Sequence, residues 1–142
     1  MSFDLELING DLSVKADGAI RTVTDSPKLR QDILKIILTS LGSNKFHPWY
    51  GCVVTEATIG SNYSDSLMFA NLKTEVTQTL ERLKTLQLSQ ASDQNVSLAE
   101  MIADIGGVQV ERDAADPRQV NVVVTVLTRR LTLIEEVFTI TS

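Results

Sequence analysis

Cysteine is nearly missing from this chain: Cys52 is the single one. One thiol excludes an intramolecular disulfide and fits a reducing compartment. Histidine is as scarce, with His47 alone. A tetrahedral metal site draws on several His, Cys or carboxylate ligands, and this pair does not supply them, so neither metal nor cofactor is expected. Basic tracts are missing too. Thirteen Lys and Arg against eighteen Asp and Glu leave a net charge of −5. Phosphate binding needs clustered cations, so nucleic acid is not an expected partner. No apolar run reaches the length of about 18 residues that a membrane helix needs, so no membrane role is expected. The opening MSFDLELING lacks the basic and apolar regions of a signal peptide, which points to synthesis in a cytoplasm. Gly106-Gly107 is followed by Val108, not by Lys and Ser or Thr, so there is no phosphate-binding loop.

What is present reads as one α+β domain. The length, 142 residues, suits a single domain that buries roughly 68% of its unfolded surface without a disulfide or metal. Short β-type runs open the chain: Leu5-Glu6-Leu7, Leu12-Ser13-Val14 and Ile20 to Val23, separated by Asn9-Gly10-Asp11 and Ala16-Asp17-Gly18. The period then changes. Asp25-Ser26-Pro27 predicts a helix start, with Ser26 as cap and Pro27 at the first helical position. This helix is expected to reach Ser40 or Leu41, with Gly42 as its stop. Its apolar residues, from Leu29 to Leu41, cover an arc of roughly 200°, wider than a surface helix needs. It is therefore expected to be covered on two sides, by the sheet and by a second helix or a partner.

Residues 43–63 read as a loop. Ser64 then caps a second helix, predicted to run to Ser89. Met68, Phe69, Leu72, Val76, Leu80, Leu83 and Leu86 form one stripe on it, about 120° wide. Ser97-Leu98-Ala99-Glu100 has capping-box spacing and predicts a short third helix to about Asp104. Strands follow. Val108 to Glu111 is the first. Val120, Val122, Val124 and Val126 alternate strictly in the second. Leu131 to Thr141 is the third, with Ile134, Phe138 and Ile140 on one face. The turns between them, Asp113 to Arg118 and Arg129-Arg130, are short enough to require antiparallel pairing. The expected fold is an antiparallel sheet packed on one side by two to three helices.

Most of the unusual chemistry sits in one stretch, GSNKFHPWYG, residues 42–51. It holds the sole His, the sole Trp, and three of the seven aromatics. Cys–His catalysis requires a base oriented by a third group, and no signature for one is present. Cys52, beside Val53 and Val54, reads as a small buried hydrophobe. Glu56 is the candidate general acid for glycosidase chemistry. Glu135-Glu136 cannot serve as a catalytic pair, because neighbours on a strand point to opposite faces. Phe46, Trp49 and Tyr50 read either as a lid on the domain's own core or as anchors for a partner, with Trp49 inward and Tyr50 outward if both hold.

One pattern runs through these residues. Gly10-Asp11-Leu12 is followed by Asp25, Lys28-Leu29, Gln31-Asp32-Ile33 and Ile36-Ile37-Leu38-Thr39, then Gly42 and Pro48-x-Tyr50-Gly51. This order resembles the baseplate wedge proteins of contractile-tailed bacteriophages. They are the sheath-initiator family, often called lysozyme-like and related to baseplate components of type VI secretion. The motifs cover residues 5–52; residues 97–141 match only in the order of elements. The resemblance implies a structural virion protein of the tail baseplate, assembled in the host cytoplasm, and no enzyme activity. It implies about six copies per baseplate. It implies binding to wedge proteins, to tail sheath protein by strand addition, and further to tube or hub proteins. The family's Glu-Pro-Arg signature is missing where the late helix enters the sheet; Ile102 to Val108 stands there, and Asp116-Pro117-Arg118 comes later in a turn. The implied interface candidates are Phe46, His47, Trp49 and Tyr50 in the loop, Arg118, and Ile134, Phe138 and Ile140 on the last strand. The alternative is a peptidoglycan hydrolase acting through Glu56.

Overall fold

The computed structural model describes residues 2–54 and 64–141. A β-rich arm comes first. Its strands β1 (Asp4–Leu5), β2 (Leu7–Ile8), β3 (Asp11–Leu12) and β4 (Thr22–Val23) pair as β1 with β4 and β2 with β3. Helix α1 spans Asp25–Leu38 and helix α2 spans Asp65–Asp93. Strands β5 (Ile102–Arg112), β6 (Gln119–Thr128) and β7 (Leu133–Thr141) form an antiparallel meander in the order β5-β6-β7. The architecture is α+β, with both helices on one face of this sheet.

The core forms where the predicted stripes meet. The inward valines of β6 are fully buried, as are Leu29, Ile33 and Ile36 of α1 and Leu72, Val76 and Leu80 of α2. The strict two-residue alternation of β6 produces this directly, because successive side chains leave a strand on opposite faces. The alternate residues, Asn121 to Leu127, are only half-buried on the outer face.

Three helix boundaries differ from those the sequence predicts, and two strands start elsewhere: β5 at Ile102 instead of Val108, and β7 at Leu133 instead of Leu131. Thr24, in extended backbone, occupies the N-cap of α1 in place of Ser26. Pro27 sits at the third helical position, where no intrahelical N–H bond is lost. Helix α1 ends at Leu38 because the chain is drawn away at once. Cys52 donates its N–H to the Thr39 carbonyl (2.8 Å), and Leu41 donates to the Cys52 carbonyl (3.2 Å). Gly42 adopts φ +81° in the turn beyond. Helix α2 continues to Asp93, past the predicted end at Ser89, since no Gly or Pro stops it.

The third helix does not form. Glu100 does reach back to the Ser97 N–H (2.8 Å), which is half of a capping box. The other half is diverted: the Ser97 hydroxyl donates to Asp25 at the start of α1 (2.6 Å). Strand β5 begins at Ile102, two residues after Glu100. Its entry is held by Gln87 of α2, whose side-chain amide donates to the Glu100 carbonyl (2.7 Å) and accepts from the Ile102 N–H (2.8 Å).

Candidate functional site

The predicted partner surface on the last strand is misplaced by one residue. Ile134, Phe138 and Ile140 are buried beneath the chain's own helices. They are core residues, and no partner can reach them. What β7 offers is its backbone. Thr128 donates its N–H to the Thr132 carbonyl (3.0 Å), and the register continues with Val126 opposite Ile134 and Val124 opposite Glu136. Bonded and non-bonded pairs alternate along an antiparallel ladder. The even residues of β7 therefore bond to β6. The odd ones, Leu133, Glu135, Val137, Thr139 and Thr141, turn their N–H and C=O groups outward. Among the described residues no strand pairs with that edge. Leu133 and Val137 are exposed beside it on the outer face.

One side chain reaches the edge. Arg30 of α1 donates through Nη1 to the Glu135 carbonyl (2.7 Å) and to the Glu136 carboxylate (2.9 Å). Glu135 faces outward and is exposed, while Glu136 lies on the helix side of the sheet. The two carboxylates do point to opposite faces, as their adjacency requires.

The aromatic loop is a hydrogen-bonded turn with exposed tips. Asn44 Oδ1 accepts the Phe46 N–H (3.0 Å) and the His47 N–H (3.3 Å), and Tyr50 donates its N–H to the His47 carbonyl (3.0 Å). Arg82 of α2 anchors the far end, donating to the Gly51 carbonyl (3.0 Å) and the Thr79 hydroxyl (3.0 Å). The expected orientations are reversed. Tyr50 points inward against the core and Trp49 is 48% exposed. Phe46 is 89% exposed. Trp49 lies along α2 in a groove with Glu81, Arg82, Thr85 and Leu86. The inversion follows from the Tyr50 neighbourhood. Tyr50 lines a cavity with Asp4, Lys28, Asp32 and Lys35 as well as Phe3, Leu83 and Leu86, a mixed site that suits the apolar body and polar tip of a phenol. Burial, with the nearby Asp32 and Asp4 charges, pushes the Tyr50 phenol up to about 12. Asp32 itself is raised by burial despite its pairing with Lys28 (2.8 Å). Burial also acts on Asp4, but bonds from Lys35 and Gln31 outweigh it and hold that carboxyl below its usual range.

His47 and Cys52 are not brought together. His47 is exposed, its ring 5.2 Å from that of Trp49. Cys52 is buried, its sulfur 3.9 Å from the Glu75 carbonyl. Arg118 sits exposed at the β5–β6 turn, which is tied to α2 through Arg112: that guanidinium donates to both Asp65 carboxylate oxygens (2.9 and 2.6 Å) and to the Pro117 carbonyl (2.6 Å). Glu56 lies outside the described residues.

Two features have no counterpart in the sequence reading. Arg30 is one. The other is the apolar exposure of the N-terminal arm, where Phe3, Ile8, Val14 and Ile20 are all exposed. The arm also forms one wall of a groove of ≈ 630 Å³ along α1, where Leu7, Val23, Pro27, Leu34 and Leu38 meet. The wide apolar arc of α1 is the signal for this groove. The arm covers part of that arc, and Leu38 remains 58% exposed.

Among the described residues, a three-stranded meander with two helices on one face and a small β arm defines an α+β domain with an unpaired sheet edge and exposed loops. One solved structure with this fold is a protein from Geobacter sulfurreducens, provisionally named a tail lysozyme. The two align with a TM-score of 0.60 at 15% identity, over 80% of this chain and 87% of that one. At such identity the likeness is one of fold. No family model matches the chain, and no curated protein matches it in sequence.

Proposed function

We propose that this chain is a non-enzymatic baseplate component of a contractile tail, which receives the first ring of tail sheath by strand addition at β7. The observation that carries this reading is the open edge of β7, five residues whose backbone groups face outward. Such an edge is a template for an added strand. The resemblance of residues 5–52 to the sheath-initiator family and the fold shared with a protein named for a tail support the same reading. In this arrangement the chain sits in the virion, in about six copies, with wedge proteins on the loop side and tube or hub proteins as further neighbours. Phe46 and Trp49 are the anchors toward the wedge, since exposed aromatics on a hydrogen-bonded turn can fill a partner's pockets, and Trp leads among interface hot spots.

The loop assignment has its own test. Trp49→Ala is expected to weaken capture of a baseplate wedge protein by about tenfold or more. The melting temperature should change far less, because the indole is half-exposed. Unfolding of the isolated domain would make Trp49 core instead of interface.

A second reading is favoured by the name of the structural neighbour: a peptidoglycan hydrolase with Glu56 as general acid. Purified protein is expected to release no soluble fragments from peptidoglycan. Clear turnover that disappears in Glu56→Gln would put the hydrolase first.

A further inference from the structure

We propose that Arg30 guards the edge of β7, and that the strand which displaces it carries a basic side chain beside Glu136. This rests on the strand-addition reading and specifies how that site is regulated and what it accepts. Glu135 is an odd residue of β7, so its carbonyl points away from β6 and belongs to the free edge. An added strand would run about 4.8 Å from β7 and place an N–H donor on that oxygen. The place is taken: Arg30 Nη1 already lies 2.7 Å from it. The guanidinium and an incoming backbone amide cannot occupy the same position. Arg30 must swing away before the ladder can zip past Glu135. It is free to do so, being on the exposed side of α1 with a side chain 46% accessible.

Eviction leaves a second group behind. Glu136 is on the helix side of the sheet, its side chain only 18% accessible, and Arg30 is its ion-pair partner (2.9 Å). A largely buried carboxylate stripped of its cation is unfavourable, so the arriving strand is favoured if it restores one. Cross-strand neighbours share a face, so a Lys or Arg opposite Glu136 on the new strand lies within reach of it. An acidic side chain at that place is disfavoured by like-charge repulsion. The guard therefore acts as a filter. It keeps casual strands off the edge and admits a strand that brings its own cation.

The test uses the full chain and two capped nine-residue peptides of alternating Thr and Val, with one central Val replaced by Lys or by Glu. Binding is read by NMR, as amide shifts and as slowed exchange of the outward amides of Leu133, Glu135, Val137 and Thr139. The Lys peptide is expected to bind wild type more tightly than the Glu peptide. Arg30→Ala and Arg30→Met are expected to bind either peptide about tenfold more tightly than wild type, the scale of one charge-assisted hydrogen bond removed from competition. Glu136→Gln is expected to erase the preference for Lys. If the Arg30 variants bind no more tightly while the outward amides are still protected, strand addition stands and the guard is overturned. If neither peptide protects those amides in any variant, the edge does not accept strands, and both ideas fall.

Discussion

Val137→Pro is expected to abolish sheath assembly on the baseplate while leaving the isolated domain folded. The asymmetry comes from the ladder. Val137 is an odd residue, so its N–H faces out and makes no bond to β6. Proline there removes one outward donor and introduces a ring where an added strand must lie. On an edge strand with the N–H toward solvent, proline is tolerated. The expected stability loss is about 1 kcal/mol, or about 3 °C. Phe138→Pro, one residue along, is the matched control. It removes a bond to Val122 and a buried ring, and should unfold the domain. Deleting all of β7 would be uninformative, since it strips Ile134, Phe138 and Ile140 from the core. Normal sheath rings, seen by electron microscopy on Val137→Pro baseplates, would sink the strand-addition reading.

Gly51→Ala is expected to cost about 3 kcal/mol or more and to lower the melting temperature by about 10 °C. Two causes combine. Gly51 has φ +122°, where L side chains are strained. An added Cβ would also lie 2.5 Å from the Thr39 carbonyl oxygen and 3.0 Å from Leu41 N and Ser40 C, all backbone atoms. Backbone cannot yield as a flexible side chain can. The stretch that must give is the junction where Cys52 bonds to Thr39 and ends α1. Because the same junction aims the aromatic loop, the variant should also lose wedge capture. Thermal melting measures the first effect. An unchanged melting temperature would show that the junction relaxes freely and does not fix the loop.

The elements that proved legible in the sequence are those set by local period. The alternating valines of β6 and the seven-residue stripe of α2 each encode their own geometry, and both appear as the pattern demands. The failures are long-range. The Ser97–Glu100 box reads as a helix start, but Asp25, 72 residues away, captures the hydroxyl. The end of α1 is set by Cys52, not by Gly42. Arg30 looks like an ordinary surface cation until the fold places it on a carbonyl 105 residues away. The edge itself hides for another reason. Side-chain pattern identifies the apolar face of β7, so it drew attention to Ile134, Phe138 and Ile140. The feature that can bind is made of backbone, which every residue carries alike. Only the register of the ladder tells which amides point outward.

The opposite margin of the sheet is built differently. Met101 turns its carbonyl toward β6, accepting from Arg129 (2.9 Å), so Glu100 C=O and Ile102 N–H face the other way. The Gln87 amide fills that place, bonding both groups as one peptide unit of a neighbouring strand would. At the other end of β5, Arg112 fastens the chain to α2. One margin is thus fastened to a helix at both its ends, and the other is open except where a single arginine covers the Glu135 carbonyl. A fibre of identical subunits needs two receptive edges on each. On the strand-addition reading β7 alone is used, so the molecule acts as a seed that a different protein extends from one side.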